Sequence, residues 1–224
     1  MTNSRSGRSP VSDSVGDYLK AIWTIGAGEP VSTTVLARQL DVSAPSVSGM
    51  LARLHEAGLV THERYHGATL TSRGMKEALL LVRRHRLVEA FLVRHLGYAW
   101  DEVHEEAEIL EHAVSDRFVD RLDSLLGSPS HDPHGDPIPT ADGNLPETPD
   151  RRLVESGAGT RFRISRLLAQ DQASLAELAS LGLGPGSEVE VLEIEKGDAL
   201  HLRSEDGVVS LSYTLAALIA GEQI

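Results

Sequence analysis

Apolar residues recur at helical spacing through most of the first 126 residues and alternate after residue 150, so the chain predicts a helical front and a β-rich back. The stretch VGDYLKAIWTIG (15–26) turns Val15, Leu19, Ile22 and Trp23 to one side, and Gly26 and Gly28 end the helix. A helix from about Thr33 to Leu40, a tight turn at Asp41–Val42–Ser43 and a second helix from Ala44 follow. Ser43 or Ala44 caps that second helix, and Pro45 is tolerated in its first turn. Val47, Met50, Leu51 and Leu54 make its buried stripe, and Gly58 stops it. LVTHERYHGATLTSRG then reads as two short strands around a turn at His66–Gly67. Helix, short turn, helix and hairpin is the order of a winged helix-turn-helix, whose second helix enters the major groove of DNA. The small Ala37 suits a close crossing of the two helices.

A long helix is expected from Ser72 to about His95. Its apolar set, including Met75, Leu79, Val82, Leu87 and Phe91, is wider than one stripe, which suits a helical dimer core. After a turn at Gly97–Trp100, one helix is expected from Asp101 to Leu126. Residues 127–150 hold six of the ten prolines and few aliphatic side chains, and read as a linker. Beyond them TRFRISRLL, SEVEVLEIE, ALHLRS and VVSLSY alternate around one short helix, SLAELASLGL, as in a small barrel-like β domain. The fold class is mainly α with small β parts, in two or three domains, which 224 residues can supply.

The net charge of −12 argues at first against nucleic acid, but its distribution changes the picture. Residues 1–73 carry about +1, residues 74–150 carry −9 and residues 151–224 carry −4. An N-terminal DNA-binding domain therefore stays open, although its near-neutral charge implies weak binding when it acts alone. The absence of cysteine excludes disulfides, thiolate metal sites and Cys nucleophilic catalysis. MTNSRSGRSPVSDS has no apolar core like that of a secretory signal, and is read as a short disordered tail before a cytoplasmic protein. No run approaches the ~18 apolar residues that a membrane helix needs.

The acidic middle carries the chemistry. In HEEAEILEHAVSD, His104, Glu108, Glu111 and His112 fall on one helix face, the spacing normally kept for a core stripe. On the preceding helix His85 and Glu89 are four residues apart and share a face as well. Two antiparallel helices would bring the two faces together, and oxygen plus imidazole donors suit a divalent cation such as Mn²⁺ or Fe²⁺. The competing reading is a solvated acidic helix with incidental histidines, which the shared spacing of all six makes the weaker one. A glycosidase-like carboxylate pair lacks any substrate-positioning signature. A di-metal oxidase would need Glu-x-x-His on two helices, and the partner helix has only His85 and Glu89. No catalytic residues are expected, and the chain is not read as an enzyme.

The winged helix-turn-helix order, RRHRLVEAFL, VHEEAEILEHAVSD, DPHGDPIP and GLGPGSEVEV together resemble the diphtheria toxin repressor family of metal-activated transcriptional repressors, from about Ser12 to the C-terminus. The resemblance implies a disordered tail (1–11), a DNA-binding domain (12–73) and a helical dimerisation and metal-binding domain (74–127). A Pro-rich linker (128–150) and an SH3-like, FeoA-type β-barrel (151–224) follow. It also implies a homodimer that binds palindromic operators when loaded with metal. Carried over by position, the primary metal site is Asp17, Glu108, Glu111 and His112, and the ancillary site is His85, Glu89 and His104. Asp132 and His134 of the linker and Asp171 of the C-terminal domain are further ancillary candidates. For Asp132 and Asp171 an ordinary loop carboxylate is an equal reading. Ser43, Pro45, Ser46, Ser48, Gly49, Arg53 and Arg64 are the candidate DNA contacts. Gly49 stands where some members have glutamine, so base specificity does not carry over.

Departures from the family pattern bear on the metal. Iron-responsive members have Met where this chain has Asp17 and Cys where it has Glu108. Hard oxygen in place of soft sulfur moves preference toward Mn²⁺. Lys20 stands where a compact manganese-type member has a glutamate ligand, so the ancillary site is expected to follow the three-domain pattern. The alternatives are an Fe²⁺-dependent repressor of the same family and a metal-independent winged-helix regulator.

Overall fold

The computed structural model describes residues 13–63, 66–148, 150–169, 171–194 and 199–224. The expected tail (1–11) and Arg64 lie outside the described residues. The chain divides into two compact units, one of residues up to Arg83 with Pro139–Asn144, the other of Arg84–Ile138 with Leu145–Ile224. Among the described residues no helix is long and apolar enough to cross a membrane.

The first unit contains α1 (Asp13–Gly26), α2 (Thr33–Gln39), α3 (Ala44–Glu56), β1 (Val60–Glu63), β2 (Gly67–Leu70) and the start of α4 (Ser72–Leu96). Ser32 caps α2 and Ser43 caps α3, each accepting a backbone N–H three residues on, and Pro45 sits in the first turn of α3. Leu19, Ile22, Leu36, Val47, Met50, Leu51 and Leu54 form one core with Val60 and Ala68 of the hairpin. Val15 and Trp23, expected inward, pack against this core while partly exposed. β1 and β2 pair antiparallel, and Val31 exchanges two 2.9 Å backbone hydrogen bonds with Ala68, which fixes the wing to the helices. Thr71 Oγ1 accepts from Gly74 N at the start of α4 and donates to the Leu59 carbonyl. That close approach needs a glycine, because a Cβ on Gly74 would land on the Leu59 backbone.

In the second unit the single helix expected over 101–126 is two, α5 (Val103–Ala113) and α6 (Asp116–Leu125). Val114 turns to extended backbone (ψ 143°), and Ser115 caps α6 by accepting from Phe118 N. The serine offers the backbone an alternative to continued helix, and apolar periodicity alone does not register that. Val88, Leu92, Val103, Ala107 and Leu122 pack the three helices.

The C-terminal part is an antiparallel six-stranded sheet in the order β3-β8-β4-β5-β6-β7. Its strands are β3 (Arg151–Arg152), β4 (Arg161–Leu167), β5 (Glu188–Ile194), β6 (Ala199–Ser204), β7 (Gly207–Ser212) and β8 (Ile219–Gln223). The expected helix is α7 (Gln172–Ser180), and a short α8 (Tyr213–Ala216) precedes the last strand. Phe162, Ile164, Leu175, Leu178, Val191, Leu200, Leu202 and Ile219 fill the core, the inward positions of the alternating runs.

The segment read as a linker is in part a packed element. Asp132, His134 and Ile138 are buried, and Ile138 joins a cluster with Leu87 and Val119. Asp132 Oδ1 accepts 2.9 Å bonds from the N–H groups of His134 and Asp136, which closes a turn. Arg86 on α4 donates to the Pro137 carbonyl at 2.6 Å and pairs with Asp136 at 2.9 Å and Asp132 at 3.4 Å. Gly135, at φ +85°, lies so close to β4 that a Cβ would meet the Ser165 carbonyl, and the His134 carbonyl accepts from Leu167 N at 2.8 Å. Ionic and backbone bonds order this segment in place of an aliphatic stripe, so composition misread it.

Gly→Ala inside a helix normally stabilises by about 0.5–1 kcal/mol. Gly74→Ala should do the reverse and cost about 1–3 kcal/mol, because the methyl group has to displace backbone. Urea denaturation followed at Trp23 measures the sign.

Candidate metal centre and DNA-binding face

One turn of α4 places His85 and Glu89 on the face toward α5, where His104, Glu108 and Glu111 lie on successive turns. His85 Nδ1 is 2.6 Å from Glu111 Oε2, and its Nε2 is 2.9 Å from Glu89 Oε1 and 3.1 Å from His104 Nδ1. His104 Nδ1 also reaches Glu89 Oε1 at 3.2 Å, and its Nε2 lies 3.5 Å from Glu108 Oε1. His112 Nε2 is 3.5 Å from Glu111 Oε1. On the other side of Glu89, His134 Nδ1 approaches Oε2 at 3.7 Å. The His134 Nε2–H donates to the Trp100 carbonyl at 2.6 Å, which leaves Nδ1 for the carboxylates.

Two groups of donors converge in this unit. His85, His104 and Glu108 each offer an atom within 4.8 Å of the others, and so do Glu89, Asp132 and His134, all three buried. Glu89 keeps His85 and His104 within 2.9 and 3.2 Å, the neighbours that the family resemblance implies, and meets Asp132 and His134 as well, while Glu108 lies with His85 and His104. Asp132 and His134, weaker expectations, lie in the most enclosed group. Asp171 does not join either group: it is exposed and caps α7, accepting from Ser174 N at 2.9 Å. Asp17 is half-buried on α1 of the first unit. Sequence reasoning missed Arg86, Asp136 and Trp100, which hold the loop that carries Asp132 and His134. Their only signal was the cation beside His85 in RRHR and the second Asp of DPHGD.

Electrostatics follow from burial. Burial opposes the charge on Glu89, but the His85 charge and hydrogen bonds from His104, His134 and His85 outweigh it and hold the carboxyl well below its ordinary value. Burial also opposes charge on His134, yet Glu89, Asp132 and the Trp100 carbonyl raise it. Asp132 is pushed up to about 7 by burial first and then by Glu89 and Asp136, against Arg86 and His134. Carboxylates and imidazoles held this close, with one carboxyl reluctant to ionise beside another, fit a divalent cation bound through oxygen and nitrogen.

On α3 of the first unit, Pro45, Ser46, Ser48, Gly49 and Arg53 are exposed, as a recognition helix requires. Ser43 is exposed too, but its Oγ is engaged in capping and lies 2.8 Å from Ser46 Oγ. Ser48 Oγ donates to the Ala44 carbonyl at 3.1 Å. Gly49 faces open space. His62 N donates to His55 Nδ1 at 3.3 Å and joins the first wing strand to the end of α3.

Three family models match the chain. They are "Iron dependent repressor, N-terminal DNA binding domain" over residues 11–68, "Iron dependent repressor, metal binding and dimerisation domain" over 71–140 and "FeoA domain" over 151–223. The diphtheria toxin repressor of Corynebacterium efficiens is 32% identical over 191 residues, covering 80% of this chain and 83% of that protein. A solved structure of a manganese-dependent transcriptional repressor in complex with manganese is 43% identical with a TM-score of 0.84, covering 93% of this chain and 99% of that one. The structure of ScaR with bound Zn²⁺ is 34% identical with a TM-score of 0.80, covering 93% and 99%.

The raised Asp132 sets a pH dependence in the metal-free chain. A carboxyl with a raised folded value favours folding fully below its unfolded value, and that contribution is lost as pH rises from 3.8 through about 7. Asp132→Asn removes the titration, so relative to the parent it should gain stability steadily across that window. Urea denaturation in chelator at a series of pH values reads the trend.

Proposed function

The chain belongs to the diphtheria toxin repressor family of metal-dependent, DNA-binding transcriptional repressors, and from that premise we propose that Mn²⁺ is the metal it answers to. The family is one of repressors and not of enzymes, with a DNA partner and a dimerisation domain. The observation that carries the Mn²⁺ reading is the donor set. His85, His104 and Glu108, and Glu89, Asp132 and His134, offer oxygen and imidazole nitrogen, and the chain has no cysteine. Raw affinity disfavours Mn²⁺ among the first-row metals, so hard ligands have to supply the preference. The likeness to a repressor solved with manganese supports the same reading.

In this reading Asp17, Glu108, Glu111 and His112 form the primary set. His85, Glu89, His104, Asp132 and His134 form the ancillary ligands. The bound cation supplies positive charge among carboxylates that otherwise repel one another. The chain's own part is to present these side chains from α1, α4, α5 and the 131–138 loop. Joining Asp17 to residues about ninety positions away restrains the DNA-binding unit. Two recognition helices of a homodimer then keep one spacing, about 34–36 Å or a multiple of it, suited to a palindromic operator. The near-neutral N-terminal segment fits a domain that binds weakly until it is so restrained. The place of action is the cytoplasm, where a repressor meets both its operator and the metal pool.

Fluorescence anisotropy on a duplex from the protein's own promoter, with Mn²⁺ and with chelator, tests the reading. Binding should need Mn²⁺, and His112→Ala should abolish it with the dimer intact. Equal affinity in chelator would sink the proposal. Asp17→Met should shift half-maximal activation toward Fe²⁺ in an anaerobic titration, and an unchanged metal profile would count against Asp17 as selector.

A further inference from the structure

We propose that Arg53 reads a guanine in the major groove, its guanidinium carried back over Gly49 to the base edges that the first turns of α3 approach. The inference rests on the reading of α3 as the recognition helix of a metal-dependent repressor. That helix has few groups able to tell one base from another. Ser43 Oγ is spent on the Ser46 backbone N–H and lies 2.8 Å from Ser46 Oγ, and Ser48 Oγ donates to the Ala44 carbonyl. Ala44, Pro45, Gly49 and Ala52 have no side-chain donor. His55 Nδ1 is taken by the His62 N–H. Arg53 is the only lysine or arginine of α3 and is exposed, and among the described residues no hydrogen bond or ion pair engages its guanidinium.

Position alone would give Arg53 to the DNA backbone. It lies in the C-terminal half of α3, whereas a recognition helix meets base edges with its N-terminal residues. Helical side chains, however, lean toward the N-terminus and cover the turn before their own Cα. For Arg53 that turn presents Met50, which is buried, and Gly49, where a Cβ would meet nothing within 4 Å. Glycine is among the poorest helix formers, yet α3 carries one in mid-helix with no positive φ and no close approach to require it. What the missing side chain leaves is a clear path along the exposed face, from Arg53 toward Pro45 and Ser46.

In the free chain Arg53 stands aside from that path. Burial pushes the Tyr18 phenol of α1 above its ordinary value, and the Arg53 charge draws it partly back. No bond holds the guanidinium there, and an exposed side chain of this kind changes rotamer within about a nanosecond. Laid over Gly49, its planar fork donates to O6 and N7 of one guanine together, a pairing that lysine, a point charge without a fork, does not match. A two-fold dimer repeats the contact, so the guanine recurs at mirrored positions of the two half-sites.

The test is selection from a randomised duplex pool by the full chain with Mn²⁺, followed by fluorescence anisotropy on the selected half-site and its single-base variants. Selection should fix a guanine at one position of each half-site, and any other base there should weaken binding on the order of 5–150-fold. Arg53→Ala and Arg53→Lys should each reduce that discrimination to below about threefold while preferences at the other positions persist. Gly49→Leu fills the path, keeps the charge and should do the same. Arg53 is exposed, so its two variants decide the matter if Gly49→Leu does not fold. Arg53→Ala that weakens all duplexes alike and lowers the salt slope by about one makes Arg53 a phosphate contact and overturns the proposal alone. So does a selected half-site without guanine, or a guanine preference that survives Arg53→Lys or Gly49→Leu. No sequence enriched with Mn²⁺, or with Fe²⁺ under anaerobic conditions, overturns the recognition-helix reading and the proposal with it.

Discussion

Glu89 holds a carboxylate where only 2% of its surface meets solvent, and the second unit is arranged around making that charge tolerable. An isolated buried carboxylate would take up a proton instead. Here His85, His104 and His134 reach it from α4, α5 and the 131–138 loop, and their bonds outweigh the desolvation. Two of these imidazoles are then fixed by a further partner, His85 by Glu111 and His134 by the Trp100 carbonyl, and His104 lies 3.5 Å from Glu108. Removing one member of such a set leaves uncompensated charge in a poorly hydrated place, which typically costs about 3–5 kcal/mol. The cluster therefore ties helices and loop to one arrangement, because departing from it would leave charge uncompensated.

The loop follows from the same constraint. It carries two further acids, Asp132 and Asp136, and Arg86 meets both while also donating to the Pro137 carbonyl. Arg86 is adjacent to His85 on α4, so one helical turn serves the imidazole on one side and the guanidinium on the other. The loop can then lie against β4 because Gly135 has no Cβ to meet the Ser165 carbonyl. Metal-ligand candidates and the attachment of the β domain thus share a few residues.

The helix proposed to face DNA is built differently. α3 buries Val47, Met50, Leu51 and Leu54 in an apolar core and exposes small residues with Arg53. Ser43 and Ser48 spend hydroxyl bonds on the helix itself. Such a surface offers little charge to phosphates, which accords with a repressor family in which metal, and not electrostatic attraction alone, controls binding.

Periodicity by itself determined the helices, the hairpin and the alternating strands, because each element buries a stripe or a face that repeats along the chain. It determined the stripe of α3, left the cap open between Ser43 and Ala44 where the structure has Ser43, and put His85 and Glu89, and His104, Glu108 and Glu111, on common faces. Motif order carried the family resemblance that the family models bear out. Tertiary structure alone decided the break at Ser115, where a side-chain cap competes with continued helix, and the ordering of the DPHGDP segment, where ion pairs replace aliphatic burial. It also decided which donors meet. Glu108 falls with His85 and His104, Glu89 with those two imidazoles and with Asp132 and His134, and Asp171 is taken up by a helix cap. Spacing says which residues share a face of one helix; which side chain across the gap they meet depends on helix rotation and loop path, and neither is written in a local pattern.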